Sequence, residues 1–189
     1  STLLGLDSIS HKDEKYLGFI GSYGNGWANA AVSQSDLLIA IGSRLDIRQT
    51  GNNISEFISG KKIVRIDIDE HELNGRISSD LSIKSDASEF LQAVIGIDYS
   101  IDSSLYISRI HEIRKVNPQK GEQPSDLVLN PSIVMEHLGE LFYESLGFIV
   151  DVGQHQMWAA QSIQLREGQR FLTSGGLGAM GFSIPASIG

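Results

Sequence analysis

Two glycine-rich turns, at 151–161 and 173–182, carry the residue types best suited to holding a charged ligand. In each, an apolar strand pattern meets a glycine and the chain turns. Backbone N–H groups and the start of the next helix are therefore expected at one edge of a sheet, where they suit a diphosphate. His155 lies in the first turn, where its imidazole can donate to a phosphate oxygen or move a proton.

A structural interpretation of these turns stays open. A single histidine such as His155 is more often a hydrogen-bonded structural residue than a functional one. The GGLG sequence at 175–178 is neither a dinucleotide fingerprint nor a Walker loop. Two such turns in adjacent strand-helix units nevertheless indicate a binding edge better than either turn alone.

A second candidate lies in the segment IAIGSRLDIRQTG at 39–51. A strand pattern ends at Gly42, and Arg44 and Arg48 stand on either side of Asp46. Ligands of open α/β sheets bind beyond the carboxyl ends of the strands, so these arginines can bind phosphate or a planar ring. The alternative is that one of them pairs with Asp46 at the surface.

A third candidate is the strand end DID at 67–69. A carboxylate at such a position often accepts a hydrogen bond from a ribose hydroxyl. An acidic residue there also serves as the cap of the following helix, and the spacing favours neither interpretation.

The elements that must position these residues alternate between strand and helix patterns. The runs 36–42 and 62–69 predict strands buried on both faces of a parallel sheet, and 147–153 predicts a further strand. Helices are predicted at 26–35 and at 85–95, the latter with Ser85 or Asp86 as its cap. The alternation favours βαβ units and an α/β, doubly wound parallel sheet.

The segment 96–126 is polar, contains one predicted helix at 104–116, and reads as a connector between two domains. A new unit opens after it, with Asn130 as the predicted N-cap and Pro131 at the first helical position. The expected organisation is a central domain at 1–99, a connector at 100–126, and the start of a second α/β domain at 127–189.

Composition narrows the classes of partner. The 23 acidic residues outnumber the 15 basic ones, and the net charge of -8 argues against a nucleic-acid partner. The chain has no cysteine, which excludes disulfides and thiolate metal sites. The longest apolar run, at 37–42, is far shorter than a membrane helix, and a cytoplasmic enzyme fits best.

Both ends of the sequence suggest a piece of a longer polypeptide. The start, STLLGLD, reads as the end of a buried strand, and the helix that begins near Pro185 has few residues after it.

At its glycine-rich turns and beyond, the sequence resembles the thiamine diphosphate enzymes of the acetohydroxyacid (acetolactate) synthase group. The segments VDVGQHQMWAAQ and RFLTSGGLGAMGFSIPASIG resemble the start of that group's diphosphate-binding domain. Upstream, STLLGLDSI, GSYGNGWANAAVSQSDLLIAIGSRLDIRQTG and KIVRIDIDEHELN resemble its central, Rossmann-like domain of the FAD- or NAD-binding type. The resemblance covers nearly the whole chain and is loosest at 96–126.

The resemblance implies roles for matching positions of the second domain. Gln154 and His155 match the pair at the diphosphate end of thiamine diphosphate. Gly178, Ala179 and Met180 match the stretch that meets the aminopyrimidine, where the methionine side chain supports the bent cofactor.

In the central domain the resemblance implies an FAD site in the members that contain flavin. The matching positions are Thr2, Leu3, Leu4, Gly42, Ser43, Arg44, Asp46, Arg48, Asp67, Ile68, Asp86 and Ala87. The family's Gly-Met-His-Gly is replaced here by GSYG at 21–24, so the presence of FAD is left open.

The implied chemistry is decarboxylation of a 2-oxo acid, pyruvate in the favoured case, and ligation of the remaining unit to a second carbonyl. The thiazolium ring acts as the electron sink. The resemblance places the activating glutamate in an N-terminal domain, and the Mg²⁺ ligands after Gly189, so no catalytic or metal-binding residue is assigned here. The 189 residues alone are predicted to be inactive. The resemblance further implies a homodimer or homotetramer and leaves a regulatory subunit open.

The substrate remains undecided between two readings. Pyruvate condensation in branched-chain amino acid synthesis is favoured. The stretches GSYGNGWAN and SRLDIRQTG depart from the biosynthetic synthases, so a different carboligase or decarboxylase is the alternative. A non-catalytic nucleotide-binding module is a further alternative, and Met180 counts against it because such a module needs no cofactor support.

Overall fold

Short parallel strands, each followed by a helix, build both units of the computed structural model, which describes residues 1–98, 100–116 and 129–189. One unit comprises 1–29 and 110–189, and the other comprises 30–109. We call them the thiamine-side unit, after the cofactor that the resemblance assigns to it, and the central unit. In chain order the elements are a 3₁₀ helix (Leu3–Ser8), α1 (Gly26–Gln34), β1 (Leu37–Ile41), α2 (Ile47–Thr50), α3 (Ile54–Ile58), β2 (Lys62–Asp67), α4 (Glu70–Leu73), β3 (Leu81–Lys84), α5 (Ala87–Ile95), α6 (Ser104–Val116), α7 (Pro131–Leu141), β4 (Gly147–Val150), α8 (Gln154–Ser162), β5 (Arg170–Thr173) and α9 (Ser183–Ile188).

The predicted α/β class with parallel sheets is confirmed. In the central unit the strands lie in the order β1-β2-β3, all parallel, and in the thiamine-side unit β4 pairs with β5 in the same sense. Branched and apolar residues fill these strands, as β propensity requires. The strands predicted at 36–42, 62–69 and 147–153 are therefore present, with slightly shorter bounds.

The prediction that the central strands are buried on both faces holds only for part of β2, where Ile63 is buried on one face and Ile66, 1% exposed, on the other. Ala40 and Ile63 pack with Leu45 and Ile77 in one core, against which α3 lies. The opposite face carries Leu37, Ile39 and Leu81, which are 43%, 50% and 52% exposed. The apolar composition of the strands does not reveal which of their residues stay exposed.

The start of the chain is a 3₁₀ helix, so the prediction of a strand end at 1–7 is wrong. The Gly5 amide donates to the Thr2 carbonyl at 3.0 Å, and the Ser8 hydroxyl donates to the Gly5 carbonyl at 2.6 Å. The chain therefore forms local turns here and not an extended strand. These turns bury Leu6 in the core that also contains Ala159, Ala160 and Phe171. Beside it the Asp7 carboxylate accepts from Arg170 Nε at 2.6 Å and from the Phe171 amide at 3.1 Å.

The helix caps follow the sequence signals. The Asn130 side chain accepts from the Ser132 amide, and Pro131 is the first residue of α7, as predicted. Asp86 caps α5 by accepting from the amides of Ser88 and Glu89. The helix predicted at 104–116 is α6. Of the segment 96–126, Tyr99 and 117–126 lie outside the described residues, and the domain boundaries remain a prediction.

None of the described helices combines the length and the apolar character needed to cross a bilayer.

Candidate cofactor site at the carboxyl ends of parallel strands

The register of β4 and β5 brings two loops to one edge of the thiamine-side unit. Val150 lies opposite Thr173, and these are the last residues of the two strands. The loop 151–153 leaves β4 and leads into α8, and the loop 174–182 leaves β5 and leads into α9. This edge is where parallel α/β sheets hold their ligands.

The start of α8 has the local structure of an anion-binding helix terminus. Gly153 precedes the helix, and no side chain caps it among the described residues. A Cβ atom at Gly153 would lie 2.9 Å from the imidazole of His155, so the glycine allows the ring its position. The first N–H groups of α8 and the positive end of its dipole face the edge, where they favour a negative group.

The loop after β5 is held in a tight turn. The amides of Leu177 and Gly178 donate to the Ser174 carbonyl at 3.1 Å and 2.8 Å. Gly178 and Gly181 have φ of 71° and 78°, in the left-handed region that favours glycine. The turn presents Met180 to solvent with 82% of its surface exposed.

Asp151 connects the end of β4 to the start of α9. Its carboxylate accepts from the Phe182 amide at 2.7 Å, from the Ser183 amide at 3.1 Å and from the Ser183 hydroxyl at 3.0 Å. Loss of hydration acts to raise the pKa of Asp151. The hydrogen bonds from Ser183 and Phe182, and to a smaller degree the charge of His155, outweigh this effect and hold the pKa below its ordinary value.

Gln156 makes a second connection between the two loops. Its side chain is buried, and its Nε2 donates to the Thr173 hydroxyl at 2.7 Å. Sequence reasoning did not single out Gln156 or Asp151. The signal for Gln156 was its position, because Gln156, Ala159 and Ala160 stand at i, i+3 and i+4 on the buried side of α8.

The structure places the five residues predicted to bind thiamine diphosphate at the start of α8 and on the loop after β5. Gln154 and His155 form the exposed first turn of α8. Gly178, Ala179 and Met180 are exposed on the loop after β5. Their roles remain predictions, and their position at one sheet edge is what the sequence led us to expect.

At the carboxyl edge of the central sheet, the loop that follows β1 also begins with a glycine. Gly42 has φ of 59°, and its amide donates to the Ile66 carbonyl at 2.8 Å. Leu45 follows with φ of 54°, a left-handed conformation that is uncommon for a residue other than glycine. This loop is fixed from within, because the buried Arg65 guanidinium donates to the carbonyl groups of Ser43 and Arg44 at 3.4 Å and 3.3 Å.

Asp46 serves two local purposes. It caps α2 by accepting from the amides of Arg48 and Gln49, and the Gln49 side chain accepts in return from the Asp46 amide at 3.0 Å. Asp46 also lies 3.5 Å from Arg44 Nη2. The alternative in which an arginine pairs with Asp46 at the surface is therefore the one observed for Arg44.

The acidic residues after β2 and before α5 also bind local backbone. Asp67 Oδ1 accepts from the Asp69 amide at 3.0 Å, and Asp69 caps α4 through the His71 amide at 2.8 Å. Asp86 caps α5, whose first residue is Ala87. Ile68 is 69% exposed. The helix-cap alternative for the acidic strand end is thus realised by Asp69.

The remaining predicted FAD positions, Thr2, Leu3 and Leu4, belong to the thiamine-side unit and lie at the start of the 3₁₀ helix. The GSYG segment forms a turn in which the Gly24 amide donates to the Gly21 carbonyl at 2.9 Å. A Cβ atom at Gly24 would lie 2.4 Å from the Phe19 carbonyl oxygen, so this position accepts only glycine. Within the part of the chain that the structure describes, no three His, Cys, Asp or Glu side chains are grouped to bind a metal ion.

Two family models match this chain. Residues 1–94 match the model of the thiamine pyrophosphate enzyme central domain, and 151–189 match that of the thiamine pyrophosphate enzyme C-terminal TPP-binding domain. Similar proteins include chloroplastic acetolactate synthase 2 of Nicotiana tabacum, 40% identical over 194 residues, the acetolactate synthase large subunit of Cyanidium caldarium, 37% identical over 196, and the acetolactate synthase of Mycobacterium leprae, 36% identical over 195. Each alignment covers 100% of this chain but only 29%, 33% and 31% of the relative, respectively.

Proposed function

From the premise that this chain belongs to the thiamine pyrophosphate enzymes, we propose that the complete gene product is an acetolactate synthase-like enzyme. It decarboxylates a 2-oxo acid, with pyruvate as the first choice, and joins the remaining unit to a second carbonyl compound. The observation that carries the proposal is the pair of loops at the carboxyl edge of β4 and β5. These loops fall in the stretch that matches the TPP-binding domain.

The residues at this edge fit thiamine diphosphate. The uncapped start of α8 offers backbone N–H groups to a diphosphate, and the exposed His155 imidazole adds a further donor. A Cβ atom at Gly176 or Gly178 would meet nothing within 4 Å, so the loop after β5 leaves open space for a ring. Met180 supplies an adaptable apolar side chain beside that space.

We assign the roles accordingly. Gln154 and His155 hold the diphosphate end, and Gly178, Ala179 and Met180 contact the aminopyrimidine and support the bent form of the cofactor. Once bound, thiamine diphosphate supplies an electron sink that lets a 2-oxo acid lose carbon dioxide. This chain contributes binding and orientation. The activating carboxylate and the ligands of Mg²⁺ are proposed to come from other parts of the complete protein.

The central edge does not fit FAD equally well. Asp46, Asp67 and Asp86 each accept backbone hydrogen bonds within their own turns through Oδ1, so each of them already has a structural role. The proposed function does not depend on flavin, and FAD is given no role in it. A flavin absorbance band in the purified gene product would restore the FAD site.

We propose a cytoplasmic homodimer or homotetramer, and a second class of subunit with a regulatory role remains compatible with it. Among the relatives described above, the Nicotiana tabacum protein is named as chloroplastic, which differs from the proposed location. The Cyanidium caldarium protein is named as a large subunit, which is compatible with a second class of subunit. Size measurement of the purified gene product by light scattering tests the assembly. A monomer that is active at all dilutions would contradict it.

The test of function is carbon dioxide release from pyruvate by the complete gene product, with and without thiamine diphosphate and Mg²⁺. Release that requires both, with acetolactate formed, supports the proposal. Binding of thiamine diphosphate without release from pyruvate would favour a different carboligase or decarboxylase, and a panel of 2-oxo acids would then identify the donor. Absence of any thiamine diphosphate binding would leave a non-catalytic nucleotide-binding module.

The isolated 189 residues are predicted to show no turnover, because the proposal assigns activation of the cofactor to residues of other domains. The same carbon dioxide assay checks this. Turnover by the isolated chain would contradict the division of roles.

A further inference from the structure

Gln156 is a buried polar side chain at the edge of the proposed cofactor site, and the proposed function has no role for it. It lies in the first turn of α8, is 1% exposed, and donates to the Thr173 hydroxyl at 2.7 Å. A buried amide that finds such a partner is held in one orientation, since the loss of the partner would leave a desolvated donor.

This hydrogen bond joins two elements that carry different halves of the site. Gln156 moves with α8 and therefore with Gln154 and His155, which directly precede it. Thr173 is the last residue of β5 and directly precedes the loop that presents Met180. The contact between Gln156 and Thr173 thus joins the first turn of α8 to the start of the loop after β5.

The surroundings of Gln156 leave little freedom to change that spacing. A Cβ atom at Gly175 would lie 3.0 Å from Gln156 Nε2 and 3.5 Å from Thr173 Cγ2. The loop backbone therefore passes close to the amide, and a glycine at this position permits the approach. At the other end of the same loop, the Asp151 carboxylate holds the amides of Phe182 and Ser183. The loop after β5 is fixed at both ends to the segment around the start of α8.

We infer that Gln156 is a positioning residue for thiamine diphosphate, which sets the distance between the diphosphate-binding turn of α8 and the Met180 loop without touching the cofactor. The inference rests on the proposed function. It explains why an amide occupies a buried position of α8 beside Ala159 and Ala160, where an apolar residue would pack without a hydrogen-bonding requirement.

The test uses the complete gene product and two substitutions that remove the hydrogen bond with little change of volume, Gln156→Leu and Thr173→Val. Thiamine diphosphate binding is measured by calorimetry in the presence of Mg²⁺. Each substitution is expected to raise the Kd by about tenfold, the equivalent of one hydrogen bond of about 1.4 kcal/mol. The double variant is expected to be no weaker than either single variant, because both remove the same contact.

Two further variants separate positioning from general destabilisation. Thr173→Ser keeps the hydroxyl and is expected to keep the Kd within about twofold of the wild type. Gln164→Leu is the matched control, since Gln164 is an exposed glutamine just after α8 whose amide donates to the nearby Ser162 carbonyl at 3.4 Å. It should leave the Kd unchanged.

The outcomes distinguish the inference from the function on which it rests. A wild-type protein that does not bind thiamine diphosphate would defeat the proposed function itself. A wild-type protein that binds, together with Gln156→Leu and Thr173→Val variants that bind equally well, would overturn the positioning role. The positioning role would also be overturned if the Kd values of these variants rose only in proportion to a fall in the Tm of the cofactor-free protein. If Gln156→Leu does not fold, the comparison of Thr173→Val with Thr173→Ser decides.

Discussion

The carboxyl edge of β4 and β5 can be compared with the carboxyl edge of β1 to β3. The loops at the two edges are similar, but their polar side chains form hydrogen bonds with different kinds of partner. Both begin with a strand that runs into a glycine-containing turn. At the edge of β4 and β5, the first helix is uncapped, and Asp151 and Gln156 form hydrogen bonds across to the neighbouring loop. At the edge of β1 to β3, Asp46, Asp69 and Asp86 cap the helices α2, α4 and α5 that directly follow them.

Under the proposed function, the difference separates the proposed binding edge of β4 and β5 from the edge of β1 to β3, whose acidic residues cap helices. Side chains that cap their own helices satisfy the backbone locally and leave less for a ligand. Side chains that connect one loop to another leave the helix terminus open and fix the distance between the loops. Each edge has a strand, a glycine in the following loop and then a helix, so the partners of the acidic residues carry the distinction.

The largest expected effect on the free energy of unfolding is at Arg65, which holds the structural edge from within. The substitution Arg65→Ala removes a guanidinium that donates to the carbonyl groups of Ser43, Arg44 and Ile77, and it leaves a cavity. We expect a loss of about 3 kcal/mol, measured by hydrogen exchange of the β1 to β3 amides. Thiamine diphosphate affinity should stay unchanged, because its loops belong to the other unit.

The control for Arg65 is Arg76→Ala. Arg76 is exposed and donates to the Gly51 carbonyl at 2.6 Å, so the same type of contact is lost without a cavity. We expect a loss below about 1 kcal/mol. Equal losses for the two variants would mean that burial of Arg65 contributes nothing to the stability of this edge.

At the edge of β4 and β5, we expect a substitution to change the affinity for thiamine diphosphate. Asp151→Ala removes the acceptor of three hydrogen bonds from Phe182 and Ser183 and frees one end of the loop that presents Met180. We expect the Kd for thiamine diphosphate to rise by about tenfold or more, measured by calorimetry. An unchanged Kd would show that this loop does not need to be fixed to β4.

The pH dependence of stability gives a finer test of Asp151. Its pKa is lowered in the folded protein from the ordinary value of 3.8 by hydrogen bonds from Ser183 and Phe182, which outweigh the opposing loss of hydration. The contribution to stability is therefore fully present above pH 3.8 and is lost as the pH falls through the lowered folded pKa. The difference in unfolding free energy between the wild type and Asp151→Asn should shrink in that acidic range and stay constant near neutral pH.

Part of the fold and of the candidate site could be predicted from the sequence. Local patterns predicted the strands and the start of α7, with its cap at Asn130 and Pro131 in its first turn. These features are determined by residues that are close together in the sequence. The 3₁₀ helix at Leu3–Ser8 was missed because a short apolar run suits a strand equally well. The contact of Gln156 with Thr173 spans 17 positions, and the burial of Arg65 depends on the fold around it. Neither property is contained in local spacing.

A modest effect is expected for the cap of α2. Asp46→Ala removes the acceptor for the amides of Arg48 and Gln49 and breaks the capping box. We expect a loss of about 1 kcal/mol in the hydrogen-exchange free energy of the amides in α2 and its flanking loop, and no change in thiamine diphosphate affinity. Asp46→Asn is the matched variant, because asparagine also caps helices, and it should recover most of the loss.

The smallest effect should come from Arg44, one of the two arginines that sequence spacing made candidates for binding a ligand. Its side chain is 66% exposed and lies 3.5 Å from Asp46, and exposed pairs of this kind contribute about 0 to 1 kcal/mol. Arg44→Ala should therefore change stability by less than about 0.5 kcal/mol, and raised salt should abolish even that difference. A variant that instead loses a copurifying flavin would show that Arg44 binds a ligand despite its pairing. The edge of β1 to β3 would then have to be counted with the edge of β4 and β5 as a binding edge, and the partners of its acidic residues would not be what sets the two apart.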